Sequence, residues 1–119
     1  MLNLDTHILL FALRGEVTTR ERKLLIANPL SISAIVLWEI AKLAQLGRIE
    51  IDLDDPLVTR TLAGIHVWPL SLEICQAIKR LDFRGDPADE IIAATSLVHR
   101  VKLVTRDRII RASKRTPLA

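Results

Sequence analysis

Four acids stand where a folded chain rarely leaves a charge unaided. Asp5 closes the apolar run Met1-Leu2-Asn3-Leu4, Glu39 interrupts Ile35-Val36-Leu37-Trp38, Asp89 opens onto Ile91-Ile92-Ala93-Ala94, and Asp107 follows Lys102-Leu103-Val104-Thr105. An ionised carboxylate inside or beside apolar sequence is costly without a partner. Any fold must therefore bond each acid to nearby helix amides or gather the acids where a cation can lie among them. In the second case, oxygen ligands of this kind favour Mg²⁺ or Mn²⁺. The chemistry implied is a metal-assisted reaction on phosphate esters.

The apolar runs between these acids alternate in period. Leu2 to Leu4 predict a short buried strand, and Ile8 to Leu13 a helix that stops at Gly15. Thr18 or Thr19 can cap a second helix, charged through Arg20 to Lys23 and apolar through Leu24 to Ile26, which Asn28-Pro29 ends. Leu30 to Ser33 predict a second strand, and Ser33 caps a helix from Ala34 to Leu46 that ends at Gly47. Arg48 to Asp52 form an extended connector before a helix that starts at Asp54-Asp55-Pro56 and stops near Gly64. Val67 to Leu70 give a third strand, which Pro69 keeps short or at an edge, and Ser71 caps a helix from Leu72 to Leu81. Asp86-Pro87 begins a helix from Ala88 to about His99, Lys102 to Thr105 form a fourth strand, and Asp107 starts a last helix to about Ser113. Strands alternating with helices predict an α/β fold with a mainly parallel sheet. In such sheets the ligand crevice lies beyond the carboxyl ends of the strands, so Asp5, Asp89 and Asp107 can meet at one rim.

Three of the acids have a plain structural role available. Asp5 can cap the first helix, Asp86 and Asp89 suit the cap and third positions around Pro87, and Asp107 can cap the last helix. Glu39 does not fit that account, because Ile35, Val36 and Leu43 share its helix face and place it on the apolar stripe. Its structural alternative is a surface pair with Lys42, worth a few tenths of a kcal/mol. Thr6 and Thr105 adjoin the acids and can hold a water or a phosphate oxygen, while His7 suits a structural or cleft-lining role. His66 and His99 lack the spacing of a zinc site. Ser33, Ser71 and Ser96 lack a G-x-S-x-G elbow, and no P-loop or G-x-G-x-x-G is present.

Half of the 119 residues are hydrophobic and 26% are charged, which suits one folded domain with its own core. No apolar stretch approaches the roughly 20 residues of a membrane span, and no basic segment precedes an apolar one at the N-terminus. Cys75 is the single cysteine, cannot form an internal disulfide, and reads as core in Leu72-Glu73-Ile74-Cys75. These features predict a cytoplasmic protein with no membrane partner. The net charge of +3 decides little alone, but bases gather at Arg20, Arg22 and Lys23 and again at Arg106, Arg108, Arg111, Lys114 and Arg115. Basic flanks around an acidic centre can hold a phosphate backbone, and Arg106, Arg108, Arg111 and Lys114 of the second cluster are the expected RNA-binding residues. A solubilising surface is the other reading of the same charges.

Taken in order, Leu4-Asp5-Thr6-His7-Ile8-Leu9-Leu10, Ser33-Ala34-Ile35-Val36-Leu37-Trp38-Glu39-Ile40-Ala41, Gly85-Asp86-Pro87-Ala88-Asp89-Glu90-Ile91-Ile92-Ala93-Ala94-Thr95 and Leu103-Val104-Thr105-Arg106-Asp107 span nearly the whole chain. With these segments the chain resembles a PIN-domain ribonuclease, specifically the VapC toxins of bacterial and archaeal toxin–antitoxin pairs. The resemblance implies a three-layer α/β/α domain over residues 1–119 with a mainly parallel sheet of four to five strands. It implies an Mg²⁺ or Mn²⁺ site from Asp5, Glu39, Asp89 and Asp107, with Asp86 auxiliary and Thr6 and Thr105 supporting. It further implies cleavage of RNA, a homodimer, and inhibition by a VapB-like antitoxin whose C-terminal peptide enters the cleft. Two departures stand out: Glu90 sits where similar proteins often carry arginine, and the tail from Ser113 to Ala119 lacks an aromatic-ended final strand. A PIN-like domain that binds without cutting is an alternative. So is a phosphoacceptor receiver module, although Asp5 stands alone after the first strand and the third predicted strand ends in Pro69-Leu70-Ser71.

Overall fold

A computed structural model describes residues 1–119. Its sheet is wholly parallel, with strand order β3-β2-β1-β4, where β1 is Leu2–Leu4, β2 Leu30–Ser33, β3 His66–Trp68 and β4 Lys102–Val104. β1 is apolar at Leu2 and Leu4 and buried along its length, as a central strand covered on both faces must be. Leu2 pairs with Leu30 on one side and with Lys102 on the other, so β1 leads to β2 in one direction and has β4 as its other neighbour. That reversal beside β1 is the topological switch point, where parallel sheets open a crevice at their carboxyl ends.

Seven helices complete the chain: α1 Thr6–Arg14, α2 Thr19–Ala27, α3 Ala34–Gln45, α4 Pro56–Ala63, α5 Leu72–Ala77, α6 Pro87–His99 and α7 Arg108–Arg111. The main core joins Leu4, Ile8 and Leu9 to Ile32, Val36, Ile40, Ile92 and Leu103, linking the sheet with α1, α3 and α6. A smaller cluster of Ile74, Ala77 and Ala94 seats α5 against α6. Caps follow the sequence closely. The side chains of Asp5, Thr18, Ser33, Asp55, Ser71 and Asp107 each accept a hydrogen bond from a first-turn amide, and Gly15 closes α1 at φ 70°.

Several expectations need correction. Asp86 precedes α6 but makes no side-chain cap bond, so Pro87 alone sets that helix start. Cys75 is exposed and not core. On α5 the buried face falls on Ile74 and Ala77, three residues apart, and one step along a helix turns Cys75 away from it. The helix expected from Leu72 to Leu81 holds only to Ala77 before a 3₁₀ turn at Ile78–Arg80, and the last helix covers four residues. β3 is an edge strand that stops before Pro69, which has no N–H to continue a ladder. At the opposite edge the C-terminal tail is placed without any aromatic residue. Leu118 bridges Leu103 in parallel, Leu103 N donates to Pro117 O at 2.9 Å, and Ala119 N donates to Leu103 O at 3.0 Å.

Candidate active site

The switch point places Asp5 and Thr105 side by side. β1 and β4 run in parallel register to Leu4 and Val104, and Asp5 N continues the ladder to Val104 O at 3.1 Å. The next residues on each strand then face one another: Thr105 Oγ1 donates to Asp5 Oδ2 at 2.6 Å, while Asp5 Oδ1 accepts from Thr6 N at 2.8 Å. Asp5 therefore caps α1 at the carboxyl end of β1 and is bonded across to β4, at only 3% exposure. Thr105 Oγ1 also accepts from Asp107 N at 3.0 Å, and Asp107 Oδ1 accepts from Ile110 N at 3.0 Å to cap α7. One buried hydroxyl thus ties the two strand-end aspartates together.

Glu39 and Asp89 arrive from the helices that pack on this rim. α3 lies against α6 and α1. Glu39 is half-buried and accepts a short hydrogen bond from Thr6 Oγ1. Lys42, the surface partner that would have made Glu39 ordinary, instead donates to Gln45 Oε1 at 2.7 Å. Burial pushes the Glu39 carboxyl above its usual range; the Thr6 hydrogen bond opposes this, and the charge of Asp5 adds to it. Asp89, in the first turn of α6, responds to all the others. Burial first, then the charges of Asp5, Asp107, Glu39 and Asp86, push its carboxyl up to about 6. Electrostatically the acids occupy one neighbourhood in which negative charge dominates, offset in part at Glu39 by His7.

In donor chemistry this neighbourhood fits a hard divalent ion, since it offers carboxylate and hydroxyl oxygens with no sulfur. It is not a finished ligand cage: no three acidic, histidine or cysteine side chains are gathered around one point. The hydrogen bonds to Thr6, Thr105 and the α7 amide hold three of the carboxylates in place while repulsion keeps the group spread.

Of the expected RNA-binding bases, Arg108 and Lys114 are exposed, while Arg111 Nη1 donates to Thr105 O at 3.3 Å. Arg106 has another task. Its Nε and Nη2 donate to the two oxygens of Glu21 at 2.8 and 2.7 Å, and its guanidinium lies 3.9 Å over the Phe11 ring. That bond holds the Glu21 carboxyl down at about 2. Glu21 was not among the acids singled out by apolar context, yet the sequence carried a signal for it. Thr18-x-x-Glu21 is a capping box, and both of its bonds form, at 2.9 and 3.1 Å.

The profile of the PIN domain family matches residues 3–115. Ribonuclease VapC22 of Mycobacterium tuberculosis (strain ATCC 25618 / H37Rv) is 34% identical over 92 residues, covering 74% of this chain and 70% of that protein. Among solved structures, VapBC2 from Rickettsia felis bound to a DNA fragment from their promoter is similar at a TM-score of 0.75 and 18% identity, covering 100% of this chain and 98% of that one. A toxin–antitoxin complex from Klebsiella pneumoniae is similar at 0.73 and 20%, over 100% and 97% of the two chains. FitAcB from Neisseria gonorrhoeae is similar at 0.66 and 22%, over 92% and 90%. At these identities the solved structures speak for the fold.

Proposed function

The chain belongs to the PIN-domain family, in its VapC type, and from that premise we propose that it is a metal-dependent endoribonuclease serving as the toxin of a toxin–antitoxin pair. In this reading residues 1–119 work as one domain. The observation that carries it is the seating of Asp5 and Asp107 on the Thr105 hydroxyl and of Glu39 on Thr6 at the sheet's switch point, with Asp89 pushed up by burial and by the charges of these acids. Asp5, Glu39, Asp89 and Asp107 would hold Mg²⁺ or Mn²⁺, with Asp86 auxiliary. When bound, such an ion supplies Lewis-acid stabilisation of the phosphate's developing charge and lowers the pKa of water.

The chain's own residues do the rest. Thr105 and Thr6 fix the rotamers of Asp5 and Glu39, so these carboxylates need little reorganisation when substrate arrives. Burial and its acidic neighbours penalise the charged form of Asp89, and a cation held among these carboxylates would relieve that penalty. Arg108 and Lys114 stand exposed to meet the RNA backbone, with Arg111 beside them. An antitoxin partner suits this layout, because an arginine from its tail would meet the same surplus of negative charge and exclude both ion and RNA. We include a homodimer in the proposal.

The test is cleavage by purified, partner-free protein. RNA should be cut in Mg²⁺ or Mn²⁺ and left intact in EDTA, and Asp5→Asn should abolish cutting while circular dichroism stays native. Full activity in chelator would remove the metal from the mechanism.

A further inference from the structure

A cavity of about 670 Å³ opens beside the acidic centre, between the α5 end, the 3₁₀ turn and the first turn of α6. Cys75, Lys79, Phe83, Arg84 and Glu90 line it. It adjoins the acids directly. The point that a β-carbon on Gly85 would occupy lies 3.8 Å from Asp89 Oδ2 and 3.9 Å from Phe83 Cε2, so one backbone position separates an aromatic ring from a site carboxylate.

Glu90 is the unusual member of this lining. It is half-buried, and its backbone N–H donates to Asp86 O at 3.2 Å. Its carboxylate has no basic partner, because the chain's one ion pair joins Arg106 to Glu21. A negative charge beside a phosphate-binding centre opposes an RNA backbone unless it meets hydrogen-bond donors. Nucleobases supply such donors, and single-stranded RNA is read by stacking on aromatic rings and by hydrogen bonds to Watson–Crick edges. Guanine alone among the four bases presents N1–H and N2–H side by side on that edge, matching the two oxygens of a carboxylate. Phe83, half-buried against the main core, lines the cavity as its one aromatic ring for stacking, and Lys79 and Arg84 can hold the phosphates on either side.

We infer that this cavity seats a guanine next to the scissile phosphate, with Glu90 accepting from its Watson–Crick edge and Phe83 stacking on its plane. The inference rests on the ribonuclease reading, but it is tested by binding as well as by cutting.

Cleavage-silent Asp5→Asn protein should bind a fluorescent tetranucleotide with one guanine about tenfold or more tighter than the same oligonucleotide with adenine, and inosine, which lacks the N2 amino group, should fall between them. Asp5→Asn/Glu90→Gln protein should lose that ranking, because an amide replaces one acceptor with a donor. Cys75, the chain's single cysteine and part of the lining, should be alkylated more slowly when the guanine oligonucleotide is bound. Cut sites on mixed-sequence RNA should show guanine at one fixed position, and single Glu90→Gln protein should lose it. Equal binding of all four bases, or a guanine preference that survives Glu90→Gln, would overturn the assignment even where RNA is cut. Protection of Cys75 by an arginine-rich peptide and not by guanine RNA would overturn it too, giving the cavity to a protein partner. Guanine-selective binding with no cleavage under any metal would keep the cavity and remove the nuclease reading.

Discussion

Asp89 carries a clear energetic signature among the acids of the rim. Its carboxyl is pushed up to about 6 from an ordinary 3.8, so the folded chain holds that proton more readily than the unfolded chain does. The resulting penalty on folding is fully present above pH 6 and vanishes below about 3.8, so this residue makes metal-free protein less stable as pH rises through that window. Asp89→Asn should therefore stabilise the metal-free protein at pH 7.5 by about 1 kcal/mol, a figure discounted for partial exposure, and bring no gain near pH 4. Urea melts of both proteins at the two pH values check this, and equal stability throughout would mean that neither burial nor the neighbouring acids penalise the Asp89 charge. Thr105 makes the complementary case. Its buried hydroxyl donates to Asp5 and accepts from Asp107 N, so Thr105→Val should cost about 1 to 3 kcal/mol by leaving both unpaired. Cleavage should fall as well, and Thr105→Ser should restore it. Loss of stability with full activity would show that Asp5 needs no positioning.

Among the elements, α2 meets the main core through the half-buried Leu24 and Leu25. Its one buried residue is Glu21, while Ile26 is 74% exposed, so the Arg106 ion pair adds a second anchor to the helix. The two residues are 85 apart in sequence, and the pair joins the first turn of α2 to the segment between β4 and α7. Because the Glu21 carboxyl is held down at about 2 against an ordinary 4.5, its stabilisation is complete above about 4.5 and is lost as pH falls towards 2. Glu21→Gln should speed amide hydrogen exchange across α2 at neutral pH and remove the part of the acid unfolding transition that lies in that window. Unchanged exchange in α2 would mean that the helix is held by its apolar contacts alone. The same pair explains why Arg106 is the least available of the expected RNA-binding bases.

For the whole molecule, the prediction concerns control. An acidic crevice with exposed bases beside it calls for a partner whose basic group can occupy the centre, so the protein expressed with the product of a neighbouring gene should co-purify with a small antitoxin. Expressed alone, it should slow growth, and Asp5→Asn should relieve that effect. A chain that expresses freely, leaves growth unaffected and recovers no partner would lose the toxin assignment while keeping its family. No helix is long and apolar enough to cross a membrane.

Local sequence determined nearly all of the elements. Caps such as Ser33 and Asp107, stops such as Gly15 and Pro69, and the short β-forming runs between them act over a few residues and can be read in order along the chain. The alternation of those elements was enough to imply a parallel sheet with acids at its rim. Tertiary structure decided the remainder, because it depends on partners remote in sequence. It joined Thr105 to Asp5 across 100 residues and paired Arg106 with Glu21, and it turned Cys75 outward. It also showed that capping uses only one of Asp5's two oxygens, since Oδ1 accepts from Thr6 N while Oδ2 accepts from the remote Thr105 hydroxyl.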